Sequence, residues 1–505
     1  LDFTSSKPDA FDYEGVRRVN TKKGLSEEDP NDWGVFNNKR PQSAENVSPE
    51  PQTRQHSELP EIEAERRSLA QGGHTLSFVA FFLFTVVLYV RPYETIPAFS
   101  SLTSLAFYVG LVTLIIFVIT QIALEGNLTA PLREIILVVL LGILAMLSIP
   151  FAIDSAEAWK TFNEILLKAL LMFIVMANVI RTWTRLTLLI VVTMAVSIYL
   201  SVNALSDYQH GIFVIGKADL ARIGGSIGGL FKNSNDLALH LVTIVPIAVG
   251  FGLATKGHVR KLLFWAAAAL MVAATTVTFS RGGFLGLIGV ALVFAYKFGK
   301  RNKVATMAVL AFAAILFISF APGSYGDRLT TIFDSASDLT GSSSQRTQVL
   351  KRSVIVALRY PLFGVGIGNF HHRSFQELGT HNAYTQVASE IGLPAFLVYM
   401  MFLLYPLKRL RQIEKETFGK PESRRFYYMS IGLQGAIIGY MVSSFFGAVA
   451  YQWYIYYLVG YAVGLHRLFL NQASLPGVSL VKPFPKAPKD AEVVNRPQFA
   501  GTSQV

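Results

Sequence analysis

Cysteine is absent from this chain of 505 residues. That excludes disulfides, thiolate metal sites and cysteine nucleophiles together, and no redox compartment can be inferred. Charge is scarce as well, with 15% of residues Asp, Glu, Lys or Arg against 52% apolar and 12% aromatic. A soluble domain carries about a quarter charged residues, so this balance excludes an ordinary globular protein. No Asp-x-Asp pair occurs anywhere, which removes the usual carboxylate clamp for a metal-bound sugar nucleotide. In place of these the chain has repeated apolar runs of about 18 residues or more, each able to cross about 30 Å of hydrocarbon at 1.5 Å per residue.

Those runs define an all-α polytopic membrane protein with about twelve transmembrane helices, expected at 76–90, 101–124, 135–152, 162–180, 186–204, 236–254, 260–279, 284–298, 303–320, 390–407, 427–447 and 450–469. Lysine and arginine mark every second loop, as in Arg181 and Arg185, Lys256 to Lys261, Lys297 to Lys303 and Lys408 to Arg425. Basic loops stay on the cytoplasmic side, so both termini are expected inside. The alternate loops then face outward, the longest being 321–389 between spans nine and ten. Residues 1–70 are rich in Pro, Glu, Ser, Asn and Asp and read as a disordered cytoplasmic tail; residues 471–505 read as a second one, with the membrane domain at 71–470.

The net charge of +12 invites a nucleic-acid reading. Its distribution argues otherwise: residues 1–70 hold ten Lys/Arg and fourteen Asp/Glu, so all the excess lies in the membrane portion. There it orients the spans and attracts anionic lipid head groups, and no nucleic-acid partner is expected.

Few polar groups interrupt the apolar pattern, and on this topology they gather outside. The loop before span six runs from Ala221-Arg222 through Gly224-Gly225 and Gly228-Gly229 to Asn233-Ser234-Asn235-Asp236. Its glycines have the wrong spacing for a dinucleotide fingerprint and fit a tightly folded loop presenting Arg222. Ser280-Arg281-Gly282-Gly283 lies between spans seven and eight and places a lone arginine against the positive-inside trend. A guanidinium is a planar fork of donors matched to phosphate oxygens, so Arg222 and Arg281 suit an anion.

In the long loop, Gln345 to Leu358 reads as a helix carrying Arg346, and Gly364 to Phe370 reads as a glycine-permitted turn, a weak phosphate-loop candidate. His371 and His372 are adjacent and expected not to face one site together, so no metal site is assigned. His381-Asn382-Ala383-Tyr384 follows, with Glu390 beyond it. Asn382 suits the N-cap of the helix that becomes span ten, setting His381 at the positive end of its dipole. That position disfavours the imidazolium and leaves a neutral ring able to act as general base. Tyr384 shares its face, whereas Glu390 is half a turn around, a poor direct partner.

These motifs, in this order and on one membrane side, resemble the O-antigen ligase and polymerase superfamily of bacterial inner-membrane proteins. The resemblance covers about 76–470 and rests on the Arg222 loop with Asn233 to Asp236, Ser280-Arg281-Gly282, Arg346 before Pro361 to Gly366, and His381-Asn382-x-Tyr384 with Glu390-x-Gly392. Thr385 and Pro394-Ala395 depart from its common pattern, which leaves the subfamily open. The resemblance implies transfer of a glycan from undecaprenyl pyrophosphate to an acceptor hydroxyl at the periplasmic face, with inversion and without metal or cofactor. Arg222 and Arg281 would hold the pyrophosphate and His381 would take the proton, with Arg346, Tyr384 and Glu390 in supporting roles. The acceptor would be lipid A core for a ligase, a lipid-linked glycan for a polymerase, or a protein for an O-oligosaccharyltransferase. A small-anion transporter is the alternative of another class, and the near absence of mid-span ionisable groups, His240 excepted, argues against it.

Overall fold

A computed structural model describes residues 73–215, 221–299 and 342–473, with Met307 and Ala311. The two expected tails, apart from the last turn of the final helix, and the expected span at 303–320 lie outside these residues. Helix dominates. Among the described residues ten helices are long and apolar enough to cross a membrane, and the strands are two of two residues each. The all-α membrane class therefore holds.

Most spans fall within a few residues of their expected positions. The first half comprises α1 (Thr75–Val90), α2 (Leu105–Glu125) and α3 (Arg133–Ser148), then α4 (Ser155–Thr161) running through a π turn into α5 (Leu167–Val179), and α6 (Trp183–Gln209). The second half comprises α7 (Ser234–Ala254), α8 (His258–Val277) and α9 (Arg281–Phe298), then the loop helices α10 (Ser342–Arg359) and α11 (Ala383–Glu390), and finally α12 (Leu393–Thr417), α13 (Arg424–Ser443) and α14 (Trp453–Ala473). Helix α14 falls outside the ten, its hydropathy lowered by His466 and Arg467 as well as by its tyrosines. It has 21 residues, about 31 Å of helix. Tyr454, Tyr456, Tyr457 and Tyr461 are all buried in it. A helix buried all round needs partners for its polar tips: Tyr454 donates to the Leu230 carbonyl at 2.6 Å, and Tyr457 shares a bond with Thr85 at 2.9 Å.

The centre of the bundle is α7 against α13. Gly432, Gly435 and Gly439 of α13 face α7, where an added Cβ would lie 2.8 Å from the Pro246 carbonyl, 3.0 Å from the Pro246 ring and 3.0 Å from Val242. In lipid there is no hydrophobic drive between helices, so close approach through small residues supplies the attraction. Pro246 has its carbonyl and ring pressed onto these glycines, and α7 is the most buried of the ten candidate spans.

One expectation needs correction. Asn382 does not begin span ten: it caps a separate short helix, α11, accepting from the Tyr384 and Thr385 N–H groups at 2.9 and 3.0 Å. The chain then breaks at Gly392 (φ 107°, ψ 171°) before α12 starts. That backbone conformation is open to glycine alone, which is why one apolar run yields two helices. Gly392→Ala would also drive a Cβ onto the Leu362 carbonyl, and should destabilise the protein by about 3 kcal/mol or more. Gly126 has φ +66° but open space around it, so Gly126→Ala should cost about 1 kcal/mol. Thermal unfolding of the two variants in detergent checks the contrast.

Candidate active site

Three helix N-termini meet at one end of the bundle because short polar residues cap each of them. Asn233 caps α7 through the Asn235 N–H at 2.9 Å, Ser280 caps α9 through the Gly283 N–H at 3.2 Å, and Asn382 caps α11. The caps also tie the helices together. Ser280 Oγ donates to Asn235 Oδ1 at 3.0 Å, joining α9 to α7. Ser443 Oγ donates to the Gly282 carbonyl at 3.0 Å, and Asn382 Nδ2 donates to the Phe445 carbonyl at 3.2 Å. The end of α13 and the turn Ser444–Phe446 thus hold both the Arg281 helix and the His381 segment. Gly282 is required there, since a Cβ would lie 2.9 Å from that of Phe446. A small cleft opens between the starts of α7 and α9 and the end of α13, lined by Asn235, Asp236, Ser280, Gly283, Ser443 and Phe446 among others.

Arg281 is the first residue of α9, half-buried, at the positive end of its dipole. His381 precedes the cap of α11 in a left-handed conformation, φ 49°. The residue is exposed, with the chain packed around its ring. That crowding, and then the positive charge of Arg346, hold its imidazole below the ordinary 6.5. Arg346 of α10 is therefore near His381, an association that sequence spacing does not convey. Arg222 lies on the second strand of a small hairpin, Val214–Ile215 with Ala221–Arg222, paired with Val214. The hairpin leads through Gly225, whose N–H meets the Phe231 carbonyl at 2.7 Å, into the cap of α7. Arg222 thus belongs to the same end of the bundle. Its glycine loop is folded on itself, as expected.

Tyr384 and Glu390 support the architecture. The Tyr384 hydroxyl donates to the Met441 carbonyl at 2.6 Å and ties α11 to α13. Glu390 sits at the far end of α11, about 13 Å along the axis from His381. It is buried and accepts from the Gly368 N–H and the Tyr451 hydroxyl, both at 2.9 Å. The turn it holds is no phosphate loop: an added Cβ at Gly364 would strike Glu390, at Gly366 it would strike Ala152, and at Gly368 it would lie 2.5 Å from Thr161 Oγ1. Its glycines admit the protein's own backbone. The expected separation of His371 and His372 also fails. A 3-10 turn, Phe370–Arg373, brings the two rings to centroids 4.0 Å apart with planes tilted by 37°, both beside Glu157.

His240, the mid-span exception, is a satisfied core residue that bonds Ser197 Oγ at 2.9 Å and packs against Tyr89, Phe231 and Tyr454. Sequence reasoning missed Asp236 and Ser280 as cleft residues, although both lie inside motifs it singled out. Ser443 and Phe446 carried no signal, because a span end with Ser and Phe is ordinary.

Glu390→Ala would strand two buried donors and should cost about 2–4 kcal/mol, while Glu390→Gln, whose carbonyl can accept both, should cost much less. Burial raises the Glu390 carboxyl from 4.5 to about 7. Its folded form therefore binds the proton more tightly than its unfolded form, and stability from this group falls as pH rises between those values. Glu390→Gln should flatten that slope in pH-dependent unfolding.

Residues 266–400 match the family model described as O-Antigen ligase. The match contains Arg281, Arg346, His381, Tyr384 and Glu390, while Arg222 lies before it. No curated protein matches the chain.

Proposed function

Since the chain belongs to the O-antigen ligase and polymerase superfamily, we propose that it transfers a glycan from undecaprenyl pyrophosphate to an acceptor hydroxyl at the periplasmic face of the bacterial inner membrane. The observation that carries this reading is the pairing of a general-base candidate, held neutral, with arginines at one end of the bundle. An imidazole pKa held below 6.5 favours the neutral ring of His381 at pH 7, and the residue is exposed to an incoming hydroxyl.

In this mechanism the acceptor oxygen attacks the anomeric carbon as His381 removes its proton. The bond from that carbon to the pyrophosphate oxygen breaks on the opposite face, so the centre inverts. Negative charge grows on the departing pyrophosphate, and Arg281 and Arg222 stabilise it, assisted by the N-terminal dipole of α9. Arg346 keeps His381 neutral and helps hold the anionic donor. Tyr384 and Glu390 act indirectly by fixing α11. Arginines thus fill the role a metal plays where carboxylate clamps exist, and no cofactor is required.

The acceptor favoured is lipid A core, a ligase reaction, on family likeness. A polymerase would pass the glycan to another lipid-linked repeat, and a protein O-oligosaccharyltransferase to Ser or Thr. A gene-deletion strain that accumulates unattached full-length glycan supports the ligase; one that attaches single repeats supports the polymerase.

His381→Ala and Arg281→Ala should each lower transfer by about 100-fold or more while insertion and thermal stability stay intact. The assay is purified protein with a lipid-linked glycan and candidate acceptors, reading both product and released carrier. The acid limb of kcat/KM should fall below pH 6.5, the ordinary imidazole value, and should move upward in Arg346→Ala. Wild-type rates in both alanine variants overturn the mechanism.

A further inference from the structure

We propose that Glu157, His371 and His372 form a divalent-metal site outside the transfer site, best suited to Zn2+, that clips the start of α4 to the Phe370–Arg373 turn. One ligand atom from each residue lies within 4.8 Å of the others. His372 Nε2 is 3.0 Å and His371 Nε2 is 3.5 Å from the same oxygen, Glu157 Oε2. Ligands about 2.1 Å from a tetrahedral zinc stand about 3.4 Å apart, so these distances are already those between neighbouring ligand positions.

The tautomer of His371 points the same way. Its Nδ1 lies 3.1 Å from the Gly368 carbonyl oxygen. A carbonyl only accepts, so Nδ1 carries the hydrogen, and in the neutral ring Nε2 presents a lone pair. That nitrogen faces the Glu157 carboxylate oxygen at 3.5 Å, and a shared cation would sit between the two. Metal-bound histidines are oriented in this way, with the second nitrogen donating to a backbone carbonyl. Two imidazoles and one carboxylate favour zinc over magnesium or calcium, which take oxygen ligands. The Asp154 carboxylate stands nearby, accepting from the Ala156 and Glu157 N–H groups at 2.9 and 3.0 Å. It adds negative potential for a cation.

The ligands are held in place by contacts that need no ion. The Asp154 N–H donates to Asn369 Oδ1 at 2.6 Å and the Ile153 N–H to the Val365 carbonyl at 3.1 Å, while Phe151 and Phe363 stack at 4.4 Å. Residues more than 200 positions apart are thus brought together by a preformed seam. Phe370 in turn packs with Val349 and Val356 of α10, and Arg352 Nε donates to the Arg373 carbonyl at 2.8 Å. An ion at the turn would therefore stiffen the seat of the long loop. The site stands on its own geometry, whatever reaction the chain catalyses.

The test uses the untagged full-length protein in detergent, stripped with a chelator and titrated with Zn2+ alone. A single equivalent should bind, and Co2+ in its place should give the visible bands of a low-coordinate site. Glu157→Ala and the double variant His371→Ala/His372→Ala should each lose at least about tenfold in affinity. His210→Ala, at an exposed position elsewhere, should bind as wild type. Zinc-edge X-ray absorption of the loaded wild type needs no variant and should report two imidazoles in the shell. A wild type that takes up no zinc, a double variant that binds unchanged, or a shell of oxygen donors alone overturns the proposal.

Discussion

The close approach of α7 and α13 is the contact on which the rest depends. Helices in lipid gain little by burying apolar surface against one another, so their association rests on how near their backbones come. Gly432, Gly435 and Gly439 bring α13 onto α7, and Pro246 takes up the space a side chain would fill. The far end of α13 then becomes a fixed platform. Ser443 receives the start of α9 and Phe445 receives Asn382, so the seam in the bundle's middle sets the distance between groups at its end.

Electrostatics at that end follow from the same geometry. Three helix N-termini and the basic residues Arg281, Arg346 and Arg222 raise the local potential, and Asp236 is the acid in the cleft. A histidine placed there resists a second positive charge. Crowding by the chain acts in the same direction, and the neighbouring Arg346 adds to it. The dipole argument from Asn382 points the same way; the structure adds desolvation by the surrounding chain and a cation from another helix. Glu390 shows the opposite environment. Desolvation outweighs its hydrogen bonds and raises its carboxyl, which suits a group that braces a turn.

Much of the architecture was legible because the hydrocarbon core imposes a length and an apolar composition that single residues cannot disguise. The spans around α1 to α9 were found by that rule, and the loop helix α10 by its apolar side and its Pro361 stop. Helix α14 was found too, although its tyrosines weaken the signal. The break before α12 was not, because Gly392 sits in an apolar run whose hydropathy continues through it. The cap at Asn382 was readable from residue type alone. The pairing of His371 with His372 was not: adjacency predicts divergent side chains in a regular helix, and here a 3-10 turn and a contact with Glu157 override it.

By itself the amino-acid order determined the membrane class and the family resemblance, because hydropathy and motif spacing are local or additive properties. Only the tertiary structure decided which polar groups meet. It placed Arg346 near His381, sent Glu390 to the glycine turn, closed that turn to phosphate and gathered Glu157 with two histidines. Such meetings depend on helix packing between segments up to hundreds of residues apart, and no periodicity in the sequence encodes the distance across a bundle.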